Sequence, residues 1–212
     1  MQMITIASRC WLVAAGLLSL AQGHAAEPTV ANTMAGIVTR LRVGLGAAEL
    51  LQLEERAVQQ FITPEDRQVL TTQYWHFEVN VPVVVSVLRD RSQVEVPFWL
   101  PAAGFRKTHL TVANEEYQYE VWQKHFEAGR VGLGINGFTQ HRPHYFVCVR
   151  PQETGATLKI SHCFPTAQEQ LEMRVGAFIY HDWTELVLTK VPDELKGQTL
   201  LPTFRGRARE TQ

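Results

Sequence analysis

Trp75-His-Phe-Glu-Val-Asn-Val-Pro-Val-Val-Val-Ser-Val-Leu88 changes character in mid-course. Trp75, Phe77 and Val79 alternate with His76, Glu78 and Asn80, the mark of a strand with one wet face. The β-branched run from Val81 to Leu88 instead suits a strand buried on both faces. Pro82 has no amide proton to give a ladder, so it belongs at an edge, a bulge or a strand start. Downstream the period stays near two, and strands are expected over residues 107–113, 116–124, 130–135, 144–150, 157–164, 174–180 and 183–190. Short strands of this number, separated by turn residues without helical periodicity between them, imply a mainly β fold. The specific expectation is an antiparallel β-sandwich, immunoglobulin-like or fibronectin type III-like, over residues 74–192.

A short helical segment is expected to precede it, over residues 24–73. Ile37, Leu41, Leu45, Ala48, Leu51 and Leu53 recur near the helical period, while Gly36, Gly44 and Gly46 weaken the pattern and invite a break. Thr63-Pro64-Glu65-Asp66 is a helix start: a capping hydroxyl, a proline at the first helical position, and acids beside the positive end of the dipole.

The first 23 residues read as a secretory signal. Arg9 precedes the apolar run Trp11 to Leu20, which is too short to span a bilayer, and Ala21-Gln22-Gly23 or Gly23-His24-Ala25 meets the small-residue cleavage rule. A secreted or periplasmic location follows, with no transmembrane segment left after cleavage. Residues 193–212 read as a C-terminal linker or truncated end, closing on the basic stretch Arg205-Gly-Arg-Ala-Arg209. The 212 residues carry 20 Lys and Arg against 21 Asp and Glu, a balance that excludes a phosphate-neutralising nucleic-acid binder.

Removal of Cys10 with the signal leaves Cys148 and Cys163. In an oxidising compartment a pair suggests a disulfide. A hairpin of 145–150 with 158–163 would, however, set the thiols about 13 Å apart along the ladder, beyond the span of a disulfide. Two buried thiols and one bridge both remain open.

Gly132-Leu-Gly134-Ile-Asn-Gly137 matches a dinucleotide fingerprint in letters, yet Pro143 and a further strand follow where the helix would be needed. Asn136-Gly137 reads better as a type I′ hairpin turn, and no cofactor is expected. His141, His144, His162 and His181 are weak metal candidates, since a divalent site wants three or four converging ligands and structural histidines are the default. No serine elbow or cysteine–histidine couple offers a nucleophile, and no catalytic residue is assigned. Among the aromatic residues, Phe98, Trp99 and Trp122 are the weak candidates for an exposed glycan-stacking platform, with Phe98-Trp99-Leu100-Pro101 in a Pro-flanked loop.

Several segments together resemble a known family. Pro97-Phe-Trp-Leu100, Tyr119-Glu-Val-Trp-Gln-Lys124, Ala128 to Phe138, His181-Asp-Trp-Thr-Glu-Leu-Val-Leu188 and Arg205 to Glu210, with the Phe77–Asp90 stretch, resemble the N-terminal accessory region of secreted bacterial metallophosphoesterases similar to purple acid phosphatases. The resemblance implies a leader region that precedes a fibronectin-like domain and a two-metal catalytic domain. The D-x-H, G-N-H-[ED] and G-H-x-H segments that hold two metals in such enzymes are missing here, so the implied role is a non-catalytic accessory module. Its partner would be a phosphoesterase catalytic domain or a cell-envelope glycan. The alternatives are a free-standing carbohydrate- or envelope-binding sandwich and, behind it, a small metal-dependent hydrolase.

Overall fold

The computed structural model describes residues 28–138, 143–165 and 169–204. The signal reading, His141 and the arginine-rich end all lie outside the described residues. Within them the protein is mainly β and sandwich-like, with two antiparallel sheets of three and seven strands and a few helices.

The chain begins with α1 (Val30–Gly44), two short helices α2 (Ala47–Leu51) and α3 (Glu55–Val58), and α4 (Pro64–Thr72). Thr63 caps α4 as its residue type dictates: its hydroxyl accepts from Asp66 N at 3.1 Å and Asp66 Oδ2 accepts from Thr63 N at 2.9 Å. Asp66 also pairs with Arg40 of α1, whose Nε donates to the Phe61 carbonyl at 2.9 Å. Ile37, Leu41, Val58 and Leu70 from these helices share an apolar cluster with Ile135 from the β region.

The smaller sheet has β1 (Trp75–Val79) at its centre, between β5 (Gly129–Leu133) and β7 (Ile160–Phe164). The larger runs β8 (Leu171–Glu172), β10 (Thr199–Leu201), β6 (Phe146–Pro151), β2 (Val83–Asp90), β4 (Gln118–Phe126), β3 (Arg106–Asn114), β9 (Leu188–Lys190). Pro82 sits immediately before β2, and all eight residues of that strand are buried. The alternation explains how. Val83, Val85 and Val87 face Trp75, Phe77 and Val79 of the smaller sheet. Leu88, with Phe146 and Cys148 of β6, faces the opposite way into a second core built with Met173, Ile179, Tyr180 and Leu186.

That second core corrects the late strands. Residues 174–180 and 183–190 form turns with isolated bridges, Phe178 to Val187 and Tyr180 to Thr203, and only Leu188–Lys190 is a strand. The segment covers a sheet face, so its apolar residues are inserted one by one and no ladder is required of them. Residues 193–204, read from sequence as the start of a linker, instead include β10, which pairs with β6 and β8.

The 144–164 hairpin is also corrected. β6 lies in the larger sheet and β7 in the smaller, so Cys148 is opposite Ser86 and Leu200. Both cysteines are free: Cys148 is buried, with its thiol pushed up to about 12 by burial, and Cys163 is half-buried. The Asn136-Gly137 turn is likewise no type I′ hairpin. Gly137 has φ +135°, Asn136 is not among the residues with positive φ, and β5 pairs with β1 and not with the strand that follows. Among the described residues, no helix is long and apolar enough to cross a membrane.

Candidate functional site

β1 begins where α4 ends, and this junction opens a cleft of about 620 Å³. One wall is the start of α1, from Pro28 to Ala31, where Thr29 caps the helix by accepting from Asn32 N at 3.2 Å. The floor is the Gln73–His76 junction, and the far wall joins His144, Phe164-Pro165 and Thr203-Phe204. Five separated stretches of chain therefore meet, and most of what they present is apolar.

Period two positions the floor. Trp75 points inward, 2% exposed, and stacks on Tyr145 with ring centroids 5.8 Å apart. His76 points the other way and stacks on Phe164 of the paired strand at 5.1 Å, with an interplanar angle of 11°. The Tyr74 hydroxyl and His144 Nδ1 share a hydrogen bond of 2.9 Å. Burial raises the pKa of that phenol above its ordinary value, which keeps it protonated. At the rim Phe164 and Phe204 keep 48% and 54% of their surface exposed. Large aromatic faces left in water beside an apolar hollow are the usual dress of a small-molecule site.

The histidines expected as metal ligands are dispersed. His144 lines the cleft. His162 is exposed, with φ +50° and its Nδ1 3.1 Å from Glu78 Oε2. His181 packs between Phe178 and Phe204, ring centroids 6.0 and 5.1 Å away, with Nε2 buried and unpartnered. Among the described residues no three His, Cys, Asp or Glu side chains are grouped so as to hold a metal ion.

The aromatic platform is not assembled either. Trp99, expected in an exposed loop, starts the one-turn helix α5 (Trp99–Ala102) and is fully buried, its Nε1 donating to the Ile135 carbonyl at 2.7 Å. Phe98 stacks on Phe138 at 5.9 Å under the Arg67 guanidinium. Trp122 is half-buried and donates from Nε1 to Glu120 at 2.9 Å. Sequence reading missed the cleft because Val30, Tyr74, Phe164 and Phe204 share no local pattern; only the aromatic pair Tyr74-Trp75 at a helix-to-strand change marks the place.

No family model, no curated protein and no solved structure matches this chain.

Proposed function

We propose that the protein is an exported, non-catalytic binding module whose cleft beside β1 holds an apolar, ring-bearing ligand. The lining of that cleft carries the reading: Val30, Phe164, Pro165 and Phe204 offer apolar faces, and Tyr74 with His144 offers one polar edge. A sugar would need hydrogen-bond partners around most of its circumference, which such a lining does not provide, so a flat or aliphatic ring with one polar group fits better. The Trp11–Leu20 run supports export, and the segments that resemble the leader of metallophosphoesterases support service as an accessory to such an enzyme. An immunoglobulin- or fibronectin-like identity belongs to the same proposal, its support being the three-stranded sheet packed on a larger antiparallel one.

N-phenyl-1-naphthylamine, a neutral aromatic that fluoresces on leaving water, tests this. It is expected to bind at about one equivalent and to lose at least about tenfold in affinity in Val30→Trp, which fills the cleft. Chromogenic phosphoesters supplied with Mn, Zn or Fe are expected to show no turnover. Probe binding that ignores Val30→Trp, or turnover abolished by His144→Ala, would overturn the reading.

A further inference from the structure

The few polar groups of the cleft beside β1 are unevenly spent: at several of them the acceptor is engaged and the donor is left. The Thr29 hydroxyl oxygen accepts from Asn32 N at 3.2 Å and the Thr29 carbonyl accepts from Thr33 N at 3.0 Å, so the hydroxyl proton remains to be given. The amides of Val30 and Ala31 lie in the first turn of α1, where no carbonyl of the helix is in reach of them. Gln73 is committed in the same sense. Its Oε1 accepts from Arg130 Nη2 at 2.6 Å, which leaves Nε2 with two protons and no acceptor among the described residues. Tyr74 and His144 hold at least two protons between them and spend one on their own 2.9 Å bond, so the pair brings a donor whichever way that bond runs.

The charge around these donors has one sign. Among the described residues no Asp or Glu lines the cleft. Glu78, the one acid of β1, lies outside the lining and faces His162 Nδ1 at 3.1 Å. Arg130 brings a guanidinium to the floor through Gln73, and the imidazoles of His76 and His144 carry a positive charge or none. The fifteen-residue α1 has its positive end in the cleft wall, with no acid in its first turn to neutralise it. A ligand bearing a cation or only donors would leave all of these groups unpaired, whereas an anionic acceptor pairs with them.

We propose that the ligand of this cleft is a ring-bearing carboxylic acid, bound as its carboxylate: the ring lies against Val30, Phe164 and Phe204, and the carboxylate takes the donors of Gln73, of the Tyr74–His144 pair and of the start of α1. The inference rests on the cleft being a ligand site and adds what the one polar group of that ligand is. A carboxylate has lone pairs for several donors and no proton of its own, which suits a lining that holds donors from three elements and no acid. An alcohol or a carboxamide carries a proton of its own into the same place, where no side-chain acid waits for it. The loss of water by the carboxylate is offset by charge-assisted hydrogen bonds, which are the strong ones.

Calorimetric titration of the full chain with 1-naphthylacetic acid and with its neutral amide, 1-naphthylacetamide, decides the matter, since the two share a ring and a shape and differ in charge. The acid is expected to bind at about one equivalent and at least about tenfold tighter than the amide, the worth of one hydrogen bond to a charged group. Ala31→Glu sets an acid in the first turn of α1, where it favours the helix, so the variant should melt no lower than the parent while the acid's advantage falls to about twofold or less. Gln73→Glu, which replaces the free donor by a carboxylate, should cut the same advantage. Equal affinity for acid and amide, with N-phenyl-1-naphthylamine still bound, would overturn this inference and leave the cleft standing. An advantage untouched by both variants would put the carboxylate elsewhere and overturn it too, and failure of all three compounds to bind would overturn the cleft reading with it.

Discussion

A methyl group at Gly134 would lie 2.6 Å from the Leu70 carbonyl oxygen and 2.6 Å from the Trp99 ring. Neither neighbour can yield, since Leu70 O accepts from Ile135 N at 3.0 Å and Trp99 is fully buried with its indole N–H bonded. Gly132 is held the same way, 2.6 Å from the Thr72 carbonyl oxygen. The G-x-G-x-x-G letters thus record two places where a strand passes close to the backbone of α4, followed by one positive φ at Gly137. Gly134→Ala is expected to cost about 3 kcal/mol from overpacking. Gly104→Ala, at φ +86° with nothing within 4 Å, should cost only about 1 kcal/mol from backbone strain. Urea unfolding midpoints compare the two, and equal losses would dismiss close packing as the reason for glycine at position 134. The sequence displayed the glycines without a reason for those at 132 and 134, because Leu70 and Trp99 approach only after folding.

α4 illustrates what a short element writes into its own residues. Thr63, Pro64 and Asp66 act on neighbours within one turn, so the helix start was legible without any tertiary knowledge. Thr63→Ala should cost about 1 kcal/mol through loss of the cap. Asp66→Ala should cost more, because it removes the reciprocal bond to Thr63 N and the Arg40 partner together. Denaturant midpoints of the two variants check the order, and a larger loss in Thr63→Ala would contradict it. β2 was legible for a related reason: a run dominated by valines, broken only by Ser86 before Leu88, suits a strand covered on both faces. The 144–164 segment was not legible as more than two strands. Turn residues between them say that the chain reverses, and nothing local says that the second strand joins another sheet. Residues 174–180 and 183–187 failed as strands because their spacing is set by the holes they fill over β2 and β6.

Across the whole molecule, Glu120 ties three adjacent strands of the larger sheet. It pairs with Arg89 of β2 and Lys107 of β3 and accepts from its own strand's Trp122. Burial pushes its carboxyl up, and Lys107, Trp122 and Arg89 outweigh this to hold it below the ordinary 4.5. A carboxylate with a depressed folded value stabilises the protein above 4.5, and that contribution is lost as pH falls through the folded value. Stability is therefore expected to drop on acidification below that point, with the drop shallower in Glu120→Gln. The variant itself should lose about 3 kcal/mol at neutral pH, since Arg89 would stay buried without its counter-charge. Urea midpoints at pH 6 and pH 3 read both effects, and an unchanged pH slope in the variant would remove Glu120 from the account. By itself the sequence determined the mainly β class, the doubly buried β2, the capped start of α4 and the lack of a complete catalytic motif, because each rests on residues adjacent in the chain or repeating at a local period. Only the tertiary structure decided the division into three and seven strands, the separation of Cys148 from Cys163, the burial of Trp99, and the meeting of Tyr74, His144, Phe164 and Phe204 around one cleft. Those depend on which distant segments share a core, and that choice is made by summed burial over the whole chain, which no short stretch encodes.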